Sequence, residues 1–207
     1  MKEKIQLPLI VSITGHRDIA IPSIEQLKSK VKLLLSQFRE KYPSTPIWVY
    51  TALADGADRI AAHAVLEMRK ESKQDLNIFL IAPLPLEIDD YKKDFSESSK
   101  LEFDALINAV DEYYVLDPYL YRKPDGHQIT LADISPKGAI GKKLYTAARN
   151  AQYANLGAFL ARHCNVLIAL WDGNDSFNSS GGTSSVVNLM LEGDMNWGKI
   201  GNDNIPS

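Results

Sequence analysis

Residues 165–187 read NVLIALWDGNDSFNSSGGTSSVV, and this stretch decides the fold predicted for the chain. Residues 166–171 are apolar without polar alternation, which is typical of a strand buried on both faces of a parallel sheet. A polar segment follows, and Gly181, Gly182 and Thr183 then open a short helix. Because ligands of such sheets bind beyond the carboxyl ends of the strands, we expect a binding site at this turn.

Four earlier runs of sequence predict the remaining strands of the sheet. They cover residues 7–14, 47–51, 77–82 and 112–116, of which the last is more polar and suits an edge. Helical patterns cover residues 57–69, 97–110, 142–163 and 183–191, and a first helix is expected from Ser23, in a capping box with Gln26, to Pro43. Strands that alternate with helices predict an α/β fold: a doubly wound, mainly parallel, Rossmann-like sheet of five or slightly more strands with helices on both faces.

The helical patterns also predict which side chains face the core. These are Ile24, Leu27, Val31, Leu34, Leu35 and Phe38 in the first helix, Ile60, Ala64, Val65 and Met68 in the second, and the small residues Ala147, Ala151, Ala154 and Ala158 in the long one. Residues 1–193 are expected to form a single domain. Residues 194–207 are either a tail or the start of a linker to a missing domain.

Residues 117–141 lack any periodicity, which is uncommon for so long a segment within a domain. The segment contains Tyr119, Tyr121, Arg122 and Lys123, which could cover a nucleotide. The alternative, an insertion without a role, stays open.

The composition excludes several classes of protein. The net charge is −3 and the basic residues are dispersed, which disfavours a polynucleotide partner. Cys164 is the only cysteine, so no internal disulfide can form and a reducing compartment is expected. No segment approaches the ~18 apolar residues of a membrane helix, and the short N-terminal apolar run contains Pro8 and no cleavage site. We therefore expect a cytoplasmic domain.

Polar residues at the predicted strand ends are the candidates for a site. They are Thr14, Gly15, His16 and Arg17 after the first strand, Asp55, Gly56 and Asp58 after the second, Pro83, Tyr91 and Asp94 after the third, and Asp172, Gly173, Gly181, Gly182 and Thr183 after the fifth. Because the carboxyl ends of parallel strands share one edge of the sheet, these residues should converge on one crevice.

The anion-binding candidates are the glycine turn and Arg17. The N–H groups and partial positive charge at the start of a helix stabilise a phosphate, and two glycines let the backbone approach it. The alternative is a plain loop in which Thr183 only caps the helix. Arg17 could grip a phosphate or form a surface salt bridge. Without GxxxxGK[ST], a phosphate-loop NTPase is not indicated.

The acidic and histidine side chains are less specific signals. Asp55 and Asp58 flank a helix start, where they either cap the helix or bind ribose hydroxyls. His16 could be an acid, a base or a hydrogen-bond donor, or could be structural. The spacing of these side chains and Asp18 does not fit a metal site, so we predict no metal and no cofactor.

Four motifs in chain order resemble the SLOG superfamily of Rossmann-like domains. They are GHRD after the first strand, LADGADRIAA after the second, APLP with a following Y-x-x-D-F after the third, and LIALWDG followed by GGT. The resemblance covers residues 9–191. This superfamily includes the DNA-processing protein A and Lonely Guy families, and the sequence looks most similar to members from bacterial conflict systems. It implies a domain that binds a nucleotide or nucleotide-derived signal, often as a homodimer fused to an effector.

The sequence departs from the catalytic pattern of the Lonely Guy enzymes. These use an arginine on the helix before the last strand and a glutamate within PGGxGTxxE. Here Asn188 or Val186 stands at the glutamate position, Leu156 stands at the arginine position, and Arg149 lies about two turns too early. The resemblance therefore favours binding over hydrolysis. The alternatives are a nucleotide-processing enzyme of the N-glycosidase or deoxyribosyltransferase type, in which Asp55, Asp58 or Asp94 replaces the glutamate, and a scaffold that only mediates assembly.

Overall fold

Five parallel strands form one sheet in the computed structural model, which describes residues 6–72, 76–122, 127–173 and 182–193. The strands in chain order are β1 Leu9–Gly15, β2 Ile47–Tyr50, β3 Ile78–Leu84, β4 Glu112–Val115, the short antiparallel pair β5 Tyr121–Arg122 and β6 Gln128–Ile129, and β7 Val166–Leu170. The order across the main sheet is β4-β3-β2-β1-β7, and every neighbouring pair in it is parallel. The predicted mainly parallel sheet and the predicted edge position of β4 are confirmed.

Helices cover both faces of this sheet. They are α1 Ile21–Lys41, α2 Ala57–Glu71, α3 Ile88–Tyr91, α4 Glu97–Ile107, α5 Gly138–Arg162 and α6 Thr183–Glu192, with single 3₁₀ turns at Lys92–Asp94 and Leu131–Asp133. Helices α1, α2 and α4 bury side chains with Val11, Val49 and Leu80 on one face. On the other face, α5 packs against Tyr50 and Ile81, and α6 packs on α5. The predicted doubly wound Rossmann-like fold is therefore confirmed.

The two faces follow from the alternation of side chains along each strand. Val11 and Ile13 of β1 are fully buried on the α1/α2 face, whereas Ile10 packs into the cluster under α5. Burial of one such side chain stabilises the fold by about 1.5–3 kcal/mol. Because both faces need apolar cover, the strands lack the polar alternation of a half-exposed sheet.

Strand β7 is less buried than the sequence predicted. Among the described residues it lies at an edge of the sheet, next to β1, and only Ile168 and Leu170 are buried. Ala169 is exposed. The prediction of a strand buried on both faces is therefore wrong, because the α5 and α6 helices cover an edge strand only in part.

The start of α1 is also different from the prediction. The helix begins at Ile21 instead of Ser23, because Pro22 occupies its first turn, where a missing N–H is tolerated. The backbone N–H of Ser23 donates to the carbonyl of Ala20 at 2.8 Å, so Ser23 lies inside the first turn and forms no capping box. Leu34, predicted to face the core, is 36% exposed.

The other boundaries shift by a few residues for local reasons. β3 continues through Pro83. β2 pairs with β3 only as far as Ile81, so no hydrogen bond to β2 is lost because Pro83 lacks an N–H. α5 begins at Gly138, four residues before its predicted start at Lys142. No helix in the described ranges is both long enough and apolar enough to cross a membrane.

Candidate functional site

The sheet has one topological switch point, between β1 and β7. The chain winds outward from β1 to β4, and α5 then returns it to the other side of β1, where Gly15 pairs with Leu170 of β7. The chain therefore leaves these two strands towards opposite faces of the sheet, to α1 after β1 and to α6 after β7. In open α/β sheets a ligand binds in the crevice that such a reversal leaves beyond the carboxyl ends of the strands.

A cavity of about 310 Å³ occupies this crevice. It brings together eight of the residues predicted from the sequence: Thr14, Gly15, His16, Arg17, Asp58, Tyr91, Gly182 and Thr183. These residues come from the segments that follow four different strands, so the predicted convergence is seen for this subset. Gly181 lies outside the described residues.

The other predicted site residues do not line the cavity. Asp55 pairs with Arg59 at 2.9 Å, and Pro83 is buried within β3. Oδ1 of Asp172 accepts a hydrogen bond from Nε2 of His16 at 3.0 Å, which joins the loops after β1 and β7. Gly173 follows with a positive φ of 83°.

Gly15 and Gly56 let the β1 loop lie directly against the start of α2. A Cβ on Gly15 would come within 2.4 Å of Cβ of Ala57 and 2.6 Å of the Leu170 carbonyl. Gly56 has a φ of +77°, and its Cβ would lie 2.3 Å from the carbonyl oxygen of His16. The same carbonyl accepts the backbone N–H of Ala57 at 3.0 Å. Both glycines are thus needed for packing, and the β1 loop already uses an N–H at the α2 N-terminus.

The N-terminus of α6 opens onto the cavity. Gly182 is its N-cap residue; among the described residues no side chain caps the helix, and its first turn contains no acidic residue. Gly182, Thr183 and Ser184 all line the cavity. Gly157 of α5 holds α6 in this position, since a Cβ there would lie 2.7 Å from Cγ2 of Val186. This helix end can stabilise an anion through its N–H groups and its dipole.

Arg17 brings a cation to the same cavity. Its side chain is exposed, and its Cζ lies 5.3 Å from the centre of the Tyr153 ring. Within the described part of the chain, Arg17 forms no salt bridge. Its charge is therefore available to a ligand, and the aromatic ring below it limits where the guanidinium can lie.

Asp58 is the buried carboxyl group of the cavity. It is 8% exposed, and its Oδ2 accepts the backbone N–H of Ala54 at 3.2 Å. Burial raises the pKa of Asp58 to about 7, although the hydrogen bond from Ala54 and the charges of Arg17 and Arg59 oppose this rise. Of the two interpretations of Asp55 and Asp58, helix capping is not observed, because no described side chain caps α2, although Asp58 lies in its first turn.

Two tyrosines line the cavity together with Arg17 and Asp58. Tyr91 is fully buried, and within the described ranges its hydroxyl has no hydrogen-bond partner. Tyr153 donates its hydroxyl to Asp94, which also pairs with Arg149 at 2.8 Å. Burial, reinforced by Asp94, raises the pKa of Tyr153 to about 12.

The sequence reasoning missed the wall that α5 contributes. Tyr153, Leu156, Gly157 and Leu160 line the cavity at spacings of three, four and seven residues. This is the spacing of one helical face, so the periodicity of α5 was the signal that could have found them. Leu156 lies in the cavity where the Lonely Guy pattern requires an arginine, while Arg149 pairs with Asp94 outside it.

The segment of residues 117–141 packs elsewhere. The backbone N–H of Tyr119 donates to Oε1 of Gln152 at 2.6 Å, and Nε2 of Gln152 donates to the carbonyl of Asp117 at 3.1 Å. Ile134 is buried against the first half of α5. None of the described side chains of this segment lines the cavity, and Lys123 lies outside the description. The prediction that it covers a ligand stays a prediction.

Comparisons with known proteins give only a weak structural similarity. No protein-family model and no curated protein matches the sequence. Among solved structures, DNA processing protein A (DprA) from Streptococcus pneumoniae is similar with 15% sequence identity and a TM-score of 0.44, over 89% of this chain and 47% of that protein. The chain thus spans less than half the length of that protein.

Proposed function

We propose that this domain binds a nucleotide or a nucleotide-derived small molecule in the cavity at the switch point. The observation that carries the proposal is the pairing of an uncapped helix N-terminus at Gly182 with the guanidinium of Arg17, which has no carboxylate partner in the described ranges. Both features stabilise negative charge, and both line one cavity. A phosphate is the common ligand group that suits such a pair.

The rest of the cavity suits the less polar part of a nucleotide. Leu156 and Leu160 of α5 line it, together with Trp171 at the end of β7. Small-molecule sites combine mostly apolar walls with a few polar groups and have volumes of about 300–1,000 Å³. At about 310 Å³, this cavity is near the lower limit of that range.

A heat-denaturation screen tests the proposal directly. The protein is heated with nucleoside monophosphates, ADP-ribose derivatives and cyclic dinucleotides at millimolar concentration. A ligand that binds the folded state must raise Tm by mass action, so at least one compound should do so. If none of them shifts Tm, the proposal is wrong.

The narrower expectations rest on the sequence resemblance alone. They are membership of the SLOG superfamily, a sensing role in a bacterial conflict system, a fused effector and a homodimer. The homodimer is the simplest to examine, by light scattering over a range of protein concentrations. A concentration-dependent oligomer without any ligand would instead favour the scaffold alternative.

One observation favours a second candidate, a nucleotide-processing enzyme. Of the three aspartates that could replace the missing glutamate, Asp55 and Asp94 are held in ion pairs outside the cavity, whereas Asp58 lines it. Because burial raises its pKa to about 7, Asp58 can exchange a proton near neutral pH, as a general acid or base must. Release of free base from a nucleoside monophosphate, abolished by Asp58→Asn but not by Asp55→Asn, would establish this activity.

A further inference from the structure

Asp58 lies in the cavity, and in the described ranges no cationic side chain forms a salt bridge with it. Its Oδ2 accepts a hydrogen bond from the backbone N–H of Ala54. The charged and titratable groups that face it are Arg17 from the β1 loop, Arg59 from α2 itself and the hydroxyl of Tyr91 from α3. Together with the backbone hydrogen bond from Ala54, these groups determine whether a negative charge on Asp58 is tolerated.

Arg59 is already neutralised by other carboxylates. Its Nη1 lies 2.9 Å from Oδ1 of Asp55 and 2.8 Å from Oε2 of Glu102. Arg17 forms no such pair in the part of the chain that the structure describes. Of the two arginines, Arg17 is therefore the one that is free to stabilise ionised Asp58, beside the backbone N–H of Ala54. It is also the cation that the anionic end of a ligand would use.

A bound anion and an ionised Asp58 would compete for this arginine. Both would lie in one cavity, where Asp58 is buried and like charges repel each other. The repulsion disappears if Asp58 takes up a proton. Burial has already raised the pKa of Asp58 to about 7, so the proton is gained at little cost near neutral pH. A neutral carboxylic acid also has an O–H that can donate to a ligand oxygen.

We propose that Asp58 carries a proton when an anionic ligand fills the cavity, so that binding takes up a proton from solution. The inference rests on the proposed anion binding and adds the protonation state of Asp58 in the bound protein. This protonation makes Asp58 a specificity-determining residue. With the neutral acid the cavity tolerates a phosphate ester, whereas with the ionised form it would favour a cation. Affinity for an anion then falls as the pH rises through the pKa of Asp58.

The probes must keep a constant charge over the pH range of the experiment. Sulfate and ADP-ribose do so between pH 6 and pH 8, unlike a phosphate monoester, whose second pKa is about 6. The affinity of the wild-type protein for these probes should fall about five- to tenfold from pH 6 to pH 8, by proton linkage. Titration calorimetry near pH 7, in phosphate-free buffers of different ionisation enthalpy, should record a net proton uptake.

Three variants separate Asp58 from other groups. Asp58→Asn imitates the neutral acid, so its affinity should be independent of pH and its proton uptake absent. Asp104→Asn removes a carboxylate that pairs with Lys92 outside the cavity, and should keep the wild-type behaviour. His16 lines the cavity too, and histidine side chains also exchange protons near neutral pH, so uptake must persist in His16→Gln.

The outcomes distinguish this inference from the proposed function. Binding of either probe without proton uptake, or uptake that persists in Asp58→Asn and is lost in His16→Gln, overturns the protonation of Asp58 and leaves anion binding in place. If neither probe binds the wild-type protein at any pH, both proposals fall. Should Asp58→Asn not fold, the proton count of the wild-type and His16→Gln proteins still decides.

Discussion

Replacement of Tyr91 by phenylalanine should stabilise the ligand-free protein, although most substitutions in a core destabilise it. The Tyr91 side chain is fully buried, and its hydroxyl has no hydrogen-bond partner in the described part of the chain. The ring packs edge-on against Phe95 at 4.9 Å and Phe103 at 5.7 Å between centroids. Phenylalanine keeps these contacts and removes only the hydroxyl.

The size of the effect follows from the desolvation of the hydroxyl. A buried polar group without a partner costs about 1–3 kcal/mol, and removal of the hydroxyl oxygen leaves only a small void. We therefore expect Tyr91→Phe to raise the free energy of unfolding by about 1 kcal/mol. For a protein of this length that corresponds to a rise in Tm of about 2–4 °C.

Urea denaturation, with Tyr153→Phe as the matched control, measures this difference. The hydroxyl of Tyr153 donates to the carboxylate of Asp94, so its removal should lower the free energy of unfolding by about 1–2 kcal/mol. The two substitutions are chemically identical and should have opposite signs. A loss of 1 kcal/mol or more in Tyr91→Phe would refute the reasoning, because it would show that this hydroxyl is hydrogen-bonded in solution.

Three further predictions concern the cavity. Arg17→Ala should lower the affinity for any anionic ligand at least several-fold in a binding titration. Arg162→Ala removes an exposed arginine outside the cavity and should leave this affinity unchanged. Gly15→Ala should lower the free energy of unfolding by about 2–3 kcal/mol, because the new Cβ would overpack the start of α2. In Gly173→Ala the new Cβ would meet no atom within 4 Å, so only its positive φ should matter and the loss should be about 1 kcal/mol. Equal losses of the two variants in urea denaturation would contradict this. Because the pKa of Asp58 rises from 3.8 to about 7 on folding, the free energy of unfolding should fall by up to about 4 kcal/mol between pH 4 and pH 7, and Asp58→Asn should lack this part of the pH dependence.

The sheet was predictable because its signal is local. Uninterrupted apolar runs mark β1, β2, β3 and β7, and the turns between them carry glycine, proline and aspartate. The order of these strands was not predictable from the runs themselves. It depends on which side of β1 the chain returns to after α5, and that is decided by packing between distant elements.

The site was predictable only for residues that follow a strand directly. Thr14 to Arg17 reach the cavity because β1 ends there, and Thr183 reaches it because α6 starts there. Tyr153 and Leu156 reach it because one face of α5 turns towards the sheet, which the sequence of α5 shows but does not assign to a site. Asp55 and Asp58 illustrate the limit: they are three residues apart in one turn, yet only Asp58 lines the cavity.

The two helix N-termini beside the cavity differ in how well they suit an anion. The start of α2 has an N–H bound to the carbonyl of His16 and carries Asp58 in its first turn, so it disfavours an anion. Among the described residues, the start of α6 has neither a side-chain cap nor an acidic residue in its first turn. The proposed position of a phosphate is therefore the start of α6, beside Arg17 and Gly182. A phosphate there shares the cavity with Asp58, whose ionised carboxylate would repel it. The asymmetry of the two helix starts thus supports the proposed position of the anion and agrees with the proposed protonation of Asp58.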